Sequence, residues 1–143
     1  MTPKKIIIFI PSIEGYGVEK NLYIITNFLT KHFSNIIIIS SSGKYKNKFN
    51  RSISFLTPRS NFWKTGGRLR KYFICSLLLI NYLFHNKNSL VFSFQANLYS
   101  TLVSKIMGSK IIIRLNSAPV GWSGNLLKKY IFKILFSFAN RVI

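Results

Sequence analysis

Three short runs in this chain are apolar without interruption and mostly β-branched: Ile6-Ile7-Ile8-Phe9-Ile10, Ile36 to Ile39, and Ile111 to Ile113. A fourth, Leu90-Val91-Phe92, is weaker. A strand with one wet face alternates apolar and polar residues, and these runs do not alternate. They therefore require burial on both faces, as in a parallel sheet covered by helices. Between the runs the period changes. Val18, Leu22, Ile25, Leu29 and Phe33 are spaced by four, three, four and four, which places them on one stripe of a helix. Arg68 to Phe84, Asn97 to Met107 and Leu126 to Phe138 have helical periodicity as well, and Gly108 follows the second of these as a C-cap.

Strand and helix thus alternate along the chain, which predicts right-handed crossovers and an α/β fold. The expected architecture is Rossmann-like: a doubly wound, mostly parallel sheet flanked by helices. Ser52 to Leu56 is expected to add a short strand. Most of Ser40 to Gly67, rich in Ser, Lys, Arg, Asn and Gly, reads as loop. The 143 residues suffice for one domain and are too few for two. They end on Arg141-Val142-Ile143, which reads as the opening of a further strand and so as a domain cut from a longer or split protein.

Composition removes several chemistries. Lys and Arg total 21, against two acids, Glu14 and Glu19, for a formal charge of +19. A carboxylate-rich cage for Mg²⁺ or Ca²⁺ cannot be assembled, and a paired-carboxylate hydrolase would have to use those two glutamates. One cysteine, Cys75, and two histidines, His32 and His85, exclude a disulfide framework and a Cys-rich zinc site. No metal or other cofactor is expected. The charge implies anionic company, whether nucleic acid, lipid or phosphorylated small molecules, although A+T-rich codon usage raises Lys too. Lys4 and Lys5 precede only five apolar residues before Pro11, which is no secretory signal. The longest apolar stretch, Tyr72 to Phe84, is too short to span a bilayer as a helix. A cytoplasmic location follows as the default.

Two segments could carry chemistry. After the first strand comes Pro11-Ser12-Ile13-Glu14-Gly15-Tyr16-Gly17-Val18-Glu19. Glycines at a strand-to-helix turn let the backbone approach a ligand, and the free N–H groups of the helix start suit a phosphate. The third glycine of the dinucleotide fingerprint is absent. Glu19 is either a cleft residue or a first-turn acid complementing the helix dipole. The second segment, Arg114-Leu115-Asn116-Ser117, leaves the Ile111 strand at its carboxyl end, the edge where open α/β sheets bind ligands. Arg114 carries a planar donor fork suited to phosphate or carboxylate, unless it simply emerges into water. Gln95 and Asn97 reach the same edge and suit sugar hydroxyls, unless Asn97 serves as a helix cap.

The run from Ile6 to Leu22, with its glycine loop and Gly-x-Glu helix start, resembles the opening of retaining glycosyltransferases of the GT-B fold, family 4. Lys110 to Pro119 resembles their fifth-strand segment, and Ala139 to Ile143 the strand that follows. The resemblance covers essentially the whole chain, as the amino-terminal half of such an enzyme. It implies transfer of a sugar from a nucleotide-diphosphate donor to a saccharide or lipid-linked acceptor, in a cleft between two Rossmann-like domains. The half seen here would hold the acceptor, with Gly15, Tyr16 and Gly17 near the donor phosphates. Glu19, Gln95, Asn97, Arg114, Asn116 and Ser117 would form the cleft edge. Asn116 stands where many relatives carry a histidine. The paired glutamates that grip the donor belong to the other half, and no acid follows position 19. The chain alone is therefore expected to be inactive, its partner half lying in a carboxyl-terminal domain or another chain.

Two stretches interleave cations with aromatic rings: Lys44-Tyr45-Lys46-Asn47-Lys48-Phe49, and Phe62-Trp63-Lys64 on through Arg68 and Arg70 to Tyr72. Such mixtures suit an anionic membrane surface or single-stranded nucleic acid. The family resemblance favours lipid, at the inner face of the membrane, over nucleic acid. A non-catalytic basic α/β module binding membrane or nucleic acid is the alternative to an enzyme.

Overall fold

The first apolar run forms β1 (Lys5–Phe9), and its partners on both sides are strands of the same kind. In this computed structural model, which describes residues 5–14, 17–116 and 126–143, β1 pairs in parallel with β2 (Ile36–Ile39) and with β4 (Ser89–Ser93). Ile8 stands opposite Ile38 on one side and Phe92 on the other. β3 (Ser54–Leu56), β5 (Lys110–Ile113) and β6 (Arg141–Val142) complete a six-stranded sheet of order β3-β2-β1-β4-β5-β6. Every pairing is parallel. This is the doubly wound, Rossmann-like order.

Burial on both faces follows from the pleat. Ile6, Ile8 and Ile10 join Ile38, Phe92 and Phe94 beneath α1 (Gly17–Leu29), which contributes Leu22. Ile7 and Phe9 point the other way. They join Val91, Ile111 and Ile113 beneath α3 (Arg68–His85) and α4 (Asn97–Ile106), through Cys75, Leu79, Leu83 and Val103. Phe136 of α5 (Leu126–Ser137) packs against the same face. Each fully buried Ile or Leu contributes roughly 1.5–3 kcal/mol relative to exposure, and these two layers fix the sheet between them. Cys75 is one of these core residues: burial pushes its thiol up to about 12, so it is inert as a nucleophile.

Local differences from the periodic pattern have physical causes. α1 stops at Leu29, short of Phe33, because the chain tightens into turns: Lys31 N–H donates to Phe28 O at 3.1 Å and His32 N–H to Leu29 O at 3.0 Å. Phe33 still packs against the α1-side core. Within the expected loop, Lys46–Lys48 forms one 3₁₀ turn and Asn61–Lys64 a short helix, α2, capped by Ser60 Oγ accepting from Phe62 N–H at 3.3 Å.

α4 ends as expected at Gly108, which adopts φ +66°. Gly108 N–H donates to Lys105 O at 3.2 Å and Ser109 N–H to Ser104 O at 2.8 Å, the paired bonds of a Schellman cap. A Cβ on Gly108 would meet no atom within 4 Å, so only the backbone opposes one. Gly108→Ala should therefore lower unfolding free energy by about 1–2 kcal/mol in urea denaturation. An unchanged midpoint would show that this left-handed turn is not formed.

Candidate functional site

β1 and β4 are neighbours, yet the chain leaves them in opposite directions: β1 leads to α1 on one face and β4 to α4 on the other. Divergence at adjacent carboxyl ends opens a crevice, the place where open α/β sheets take ligands. Here it is a cleft of about 560 Å³, lined from the β1 loop by Ser12 and Glu14 and from the β4 end by Phe94, Gln95, Ala96 and Asn97. Arg68 and Tyr72 of α3, Tyr99 of α4, Asn116, and Phe132 and Phe136 of α5 close its walls. The Tyr72 and Tyr99 rings lie 5.5 Å apart, and those of Phe132 and Phe136 stack at 5.8 Å.

Hydrogen bonds across the two loops hold the crevice in shape. Ser12 N–H donates to Gln95 Oε1 at 3.2 Å, and Ser41 N–H to Pro11 O at 3.0 Å. Asn97 Oδ1 accepts from Ser93 Oγ at 2.8 Å, and its Nδ2 donates to Arg114 O at 2.8 Å, stitching β4 to the end of β5. Asn97 is therefore a cross-strand tie and not the helix cap. The cap position belongs to Ala96, whose φ of 52° is the one left-handed non-glycine backbone among the described residues. Strain of this kind gathers at binding sites, where the surrounding structure over-determines it. Asn116 Nδ2 donates to Phe94 O at 2.6 Å. These bonds leave Gln95 Nε2 and Asn116 Oδ1, both on residues lining the cleft, with capacity for a ligand.

The two acids have separate places. Glu19 is 2% exposed, and its Oε1 accepts from Glu14 N–H at 2.8 Å, tying Glu14 to the first turn of α1. It is not at the cleft edge. Glu14 is exposed, and its Oε1 accepts from Ser12 Oγ at 2.7 Å, which in turn accepts from Lys71 Nζ at 3.3 Å. Arg114 is half-buried, with its guanidinium 5.6 Å from the Phe94 ring centroid and Nη1 buried without a partner. It does not line the cleft, and its backbone O accepts from Asn97 Nδ2. Gly17 begins α1, whereas Gly15, Tyr16 and Ser117 lie outside the described residues.

The basic and aromatic residues divide among three surfaces. Lys44 and Lys64 line a second recess beside the cleft, and Arg68 lines the cleft itself. Lys46 and Lys48 are exposed, with the Lys48 ammonium 5.1 Å and the Lys44 ammonium 5.5 Å from the Tyr45 centroid. Arg70 lies 4.1 Å from the Phe62 centroid, and Trp63 stands 6.3 Å from Phe73 at the root of α3. From there an exposed apolar stripe runs along α3 through Leu69, Phe73, Leu77, Ile80 and Phe84, each 39–72% exposed. Leu102 and Ile106 of α4 are exposed as well. The stripe's spacing of four, four, three and four was available in the sequence, but α3 carries a second apolar stripe, and only packing decides which one is buried.

Amide groups, aromatic walls and one accessible carboxylate suit the hydroxyls and apolar faces of a sugar. His32 and His85 lie away from the cleft, His32 against Phe28 at 4.8 Å and His85 Nδ1 bonded to Asn81 O at 2.9 Å. The chain matches no protein-family model and no curated protein.

Proposed function

We propose that this chain is the acceptor-binding half of a retaining sugar transferase that works at a membrane surface. The observation that carries this is the cleft at the switch point, walled by Tyr72, Tyr99, Phe132 and Phe136 and edged by Gln95, Asn97 and Asn116. The likeness of Ile6 to Leu22 and of Lys110 to Pro119 to family 4 glycosyltransferases of the GT-B fold supports the same assignment. The donor is a nucleotide-diphosphate sugar. In the transfer, the bond from the anomeric carbon to the diphosphate breaks, a bond to the acceptor oxygen forms, and the acceptor's proton leaves with the diphosphate. Chemistry of this kind depends on positioning and on stabilising the departing charge, not on a protein nucleophile. Tyr72 and Tyr99 would stack on the acceptor, Gln95 and Asn116 would orient its hydroxyls, and Glu14 would accept from one of them. The glycine loop would meet the donor phosphates when a donor-bearing half closes over the cleft.

The α3 stripe supports work at a membrane. Among the described residues no helix is long and apolar enough to cross one. An exposed apolar stripe on a chain of charge +19 is instead what lies along an anionic interface.

The chain's two acids are Glu14 in the β1 loop and Glu19 in the first turn of α1, so nothing in it matches the paired glutamates expected to grip the donor. The purified 143-residue chain should bind saccharides without turning over any nucleotide sugar. Offering it a panel of radiolabelled nucleotide sugars and acceptors checks this, and robust transfer would contradict the assignment of a single, acceptor-side half.

A further inference from the structure

Beside the cleft, and sharing Ser12 and Glu14 with it, lies a recess of about 380 Å³ lined by Lys44, Lys64 and Lys71. They come from three separate elements: the β2–β3 loop, α2 and α3. The remaining lining includes Ser41, Ser42 and Tyr45. We propose that this recess is a phosphate-ester site, holding the phosphate of a phosphorylated saccharide whose sugar lies in the adjoining cleft. The sugar end of that ligand rests on the function proposed above; the phosphate end rests on the recess alone.

Lys64 and Lys71 are half-buried, and among the described residues neither forms an ion pair. Lys71 Nζ has Ser12 Oγ as its partner, and Lys64 Nζ has Asn61 Oδ1 at 3.1 Å. Three lysines around a recess that holds a single carboxylate, Glu14, leave an excess of positive charge that a bound anion offsets. Three ammonium groups against the one carboxylate of Glu14 leave two positive charges, which matches the charge of about −1.5 to −2 on a phosphate monoester at neutral pH. Hydroxyls of Ser41 and Ser42 add neutral donors, the usual complement to lysine around phosphate oxygens. The shared residues Ser12 and Glu14 make the two cavities continuous, so one ligand can reach both.

A chain this basic binds anions diffusely, and the test must separate a site from a field. Glucose 1-phosphate, inorganic phosphate and glucose are titrated against the whole chain at physiological salt by calorimetry. Three proteins are compared: the parent, Lys44→Ala/Lys64→Ala/Lys71→Ala, and Lys46→Ala/Lys48→Ala/Lys87→Ala, which loses the same charge outside the recess. The first triple variant should weaken binding of both phosphates by roughly tenfold or more, and the second should leave it within about twofold. Equal loss in the two variants, or no saturable phosphate binding by the parent, overturns the site. Should the first variant melt early, Lys44→Ala alone, at an exposed position, must still weaken phosphate binding more than Lys46→Ala does; parity overturns the site. Tighter binding of glucose 1-phosphate than of inorganic phosphate is expected from the neighbouring cleft. Equal affinities, with the lysine dependence intact, would sink the sugar end and leave the phosphate site standing.

Discussion

Glu14→Ala should weaken saccharide binding by roughly 10- to 150-fold, the loss of a charge-assisted hydrogen bond worth about 1.5–3 kcal/mol, while the thermal melt stays at its parental position. Glu19→Ala should do the reverse. Its carboxylate is buried and its Oε1 is the acceptor for Glu14 N–H, so its removal strands a backbone donor and empties a packed position. A cost of about 1–3 kcal/mol follows, together with some loss of binding as Glu14 is released. Calorimetric titration with whichever saccharide binds the parent, beside a denaturant melt of each variant, separates the two acids. If Glu14→Ala binds like the parent, the exposed carboxylate is not a ligand contact. If Glu19→Ala melts like the parent, the loop is not held as described.

The second large effect divides α3 along its length. Leu79 is buried in the core against β1 and β4, and Leu79→Ala should cost about 2–5 kcal/mol through lost burial and the cavity left behind. Leu77, two residues away, is 43% exposed, and Phe73 is 55% exposed. Phe73→Ser with Leu77→Ser should leave stability within about 0.5 kcal/mol, the range of ordinary surface substitutions. The same pair should weaken binding to phosphatidylglycerol vesicles roughly tenfold or more, since each ring or branched chain entering lipid contributes about 1.5–3 kcal/mol. Ile24→Ser with Phe28→Ser provides the control. Those side chains are more exposed still, but on α1 at the opposite face of the sheet, and their loss should not matter. Vesicle flotation of the three proteins, each checked by its melt, decides the matter; equal loss in both paired variants would show general stickiness and no membrane face.

The sheet was legible because burial on both faces leaves a mark that solvent cannot erase: no polar residue interrupts Ile6 to Ile10 or Ile36 to Ile39. The Gly108 cap was legible for a similar reason, since one backbone conformation favours one residue. α2 was not, because four residues span hardly more than one turn and carry no period. The cleft was legible by half. Gln95, Asn97 and Asn116 sit just beyond strand ends, where the carboxyl edge of a parallel sheet must be. Tyr72, Tyr99, Phe132 and Phe136 come from three helices far apart in sequence, and only the packing of α3, α4 and α5 on one face brings them to the crevice. Arg114 follows β5, and its guanidinium lies 5.6 Å from the Phe94 ring centroid, a placement that position in the sequence does not specify.

Where a sugar binds decides between the cleft and every other surface of the chain. The most direct measurement is a titration of the isotope-labelled chain with oligosaccharides and sugar phosphates, followed by the amide NMR spectrum. Saturable shifts should gather at Ser12, Glu14, Gln95, Asn97 and Asn116, including the side-chain amides of Gln95 and Asn116, and should spare the amino-terminal ends of the strands. Shifts confined to the outer face of α3, or to residues around Lys87 at the opposite edge of the sheet, would contradict a saccharide site at the switch point.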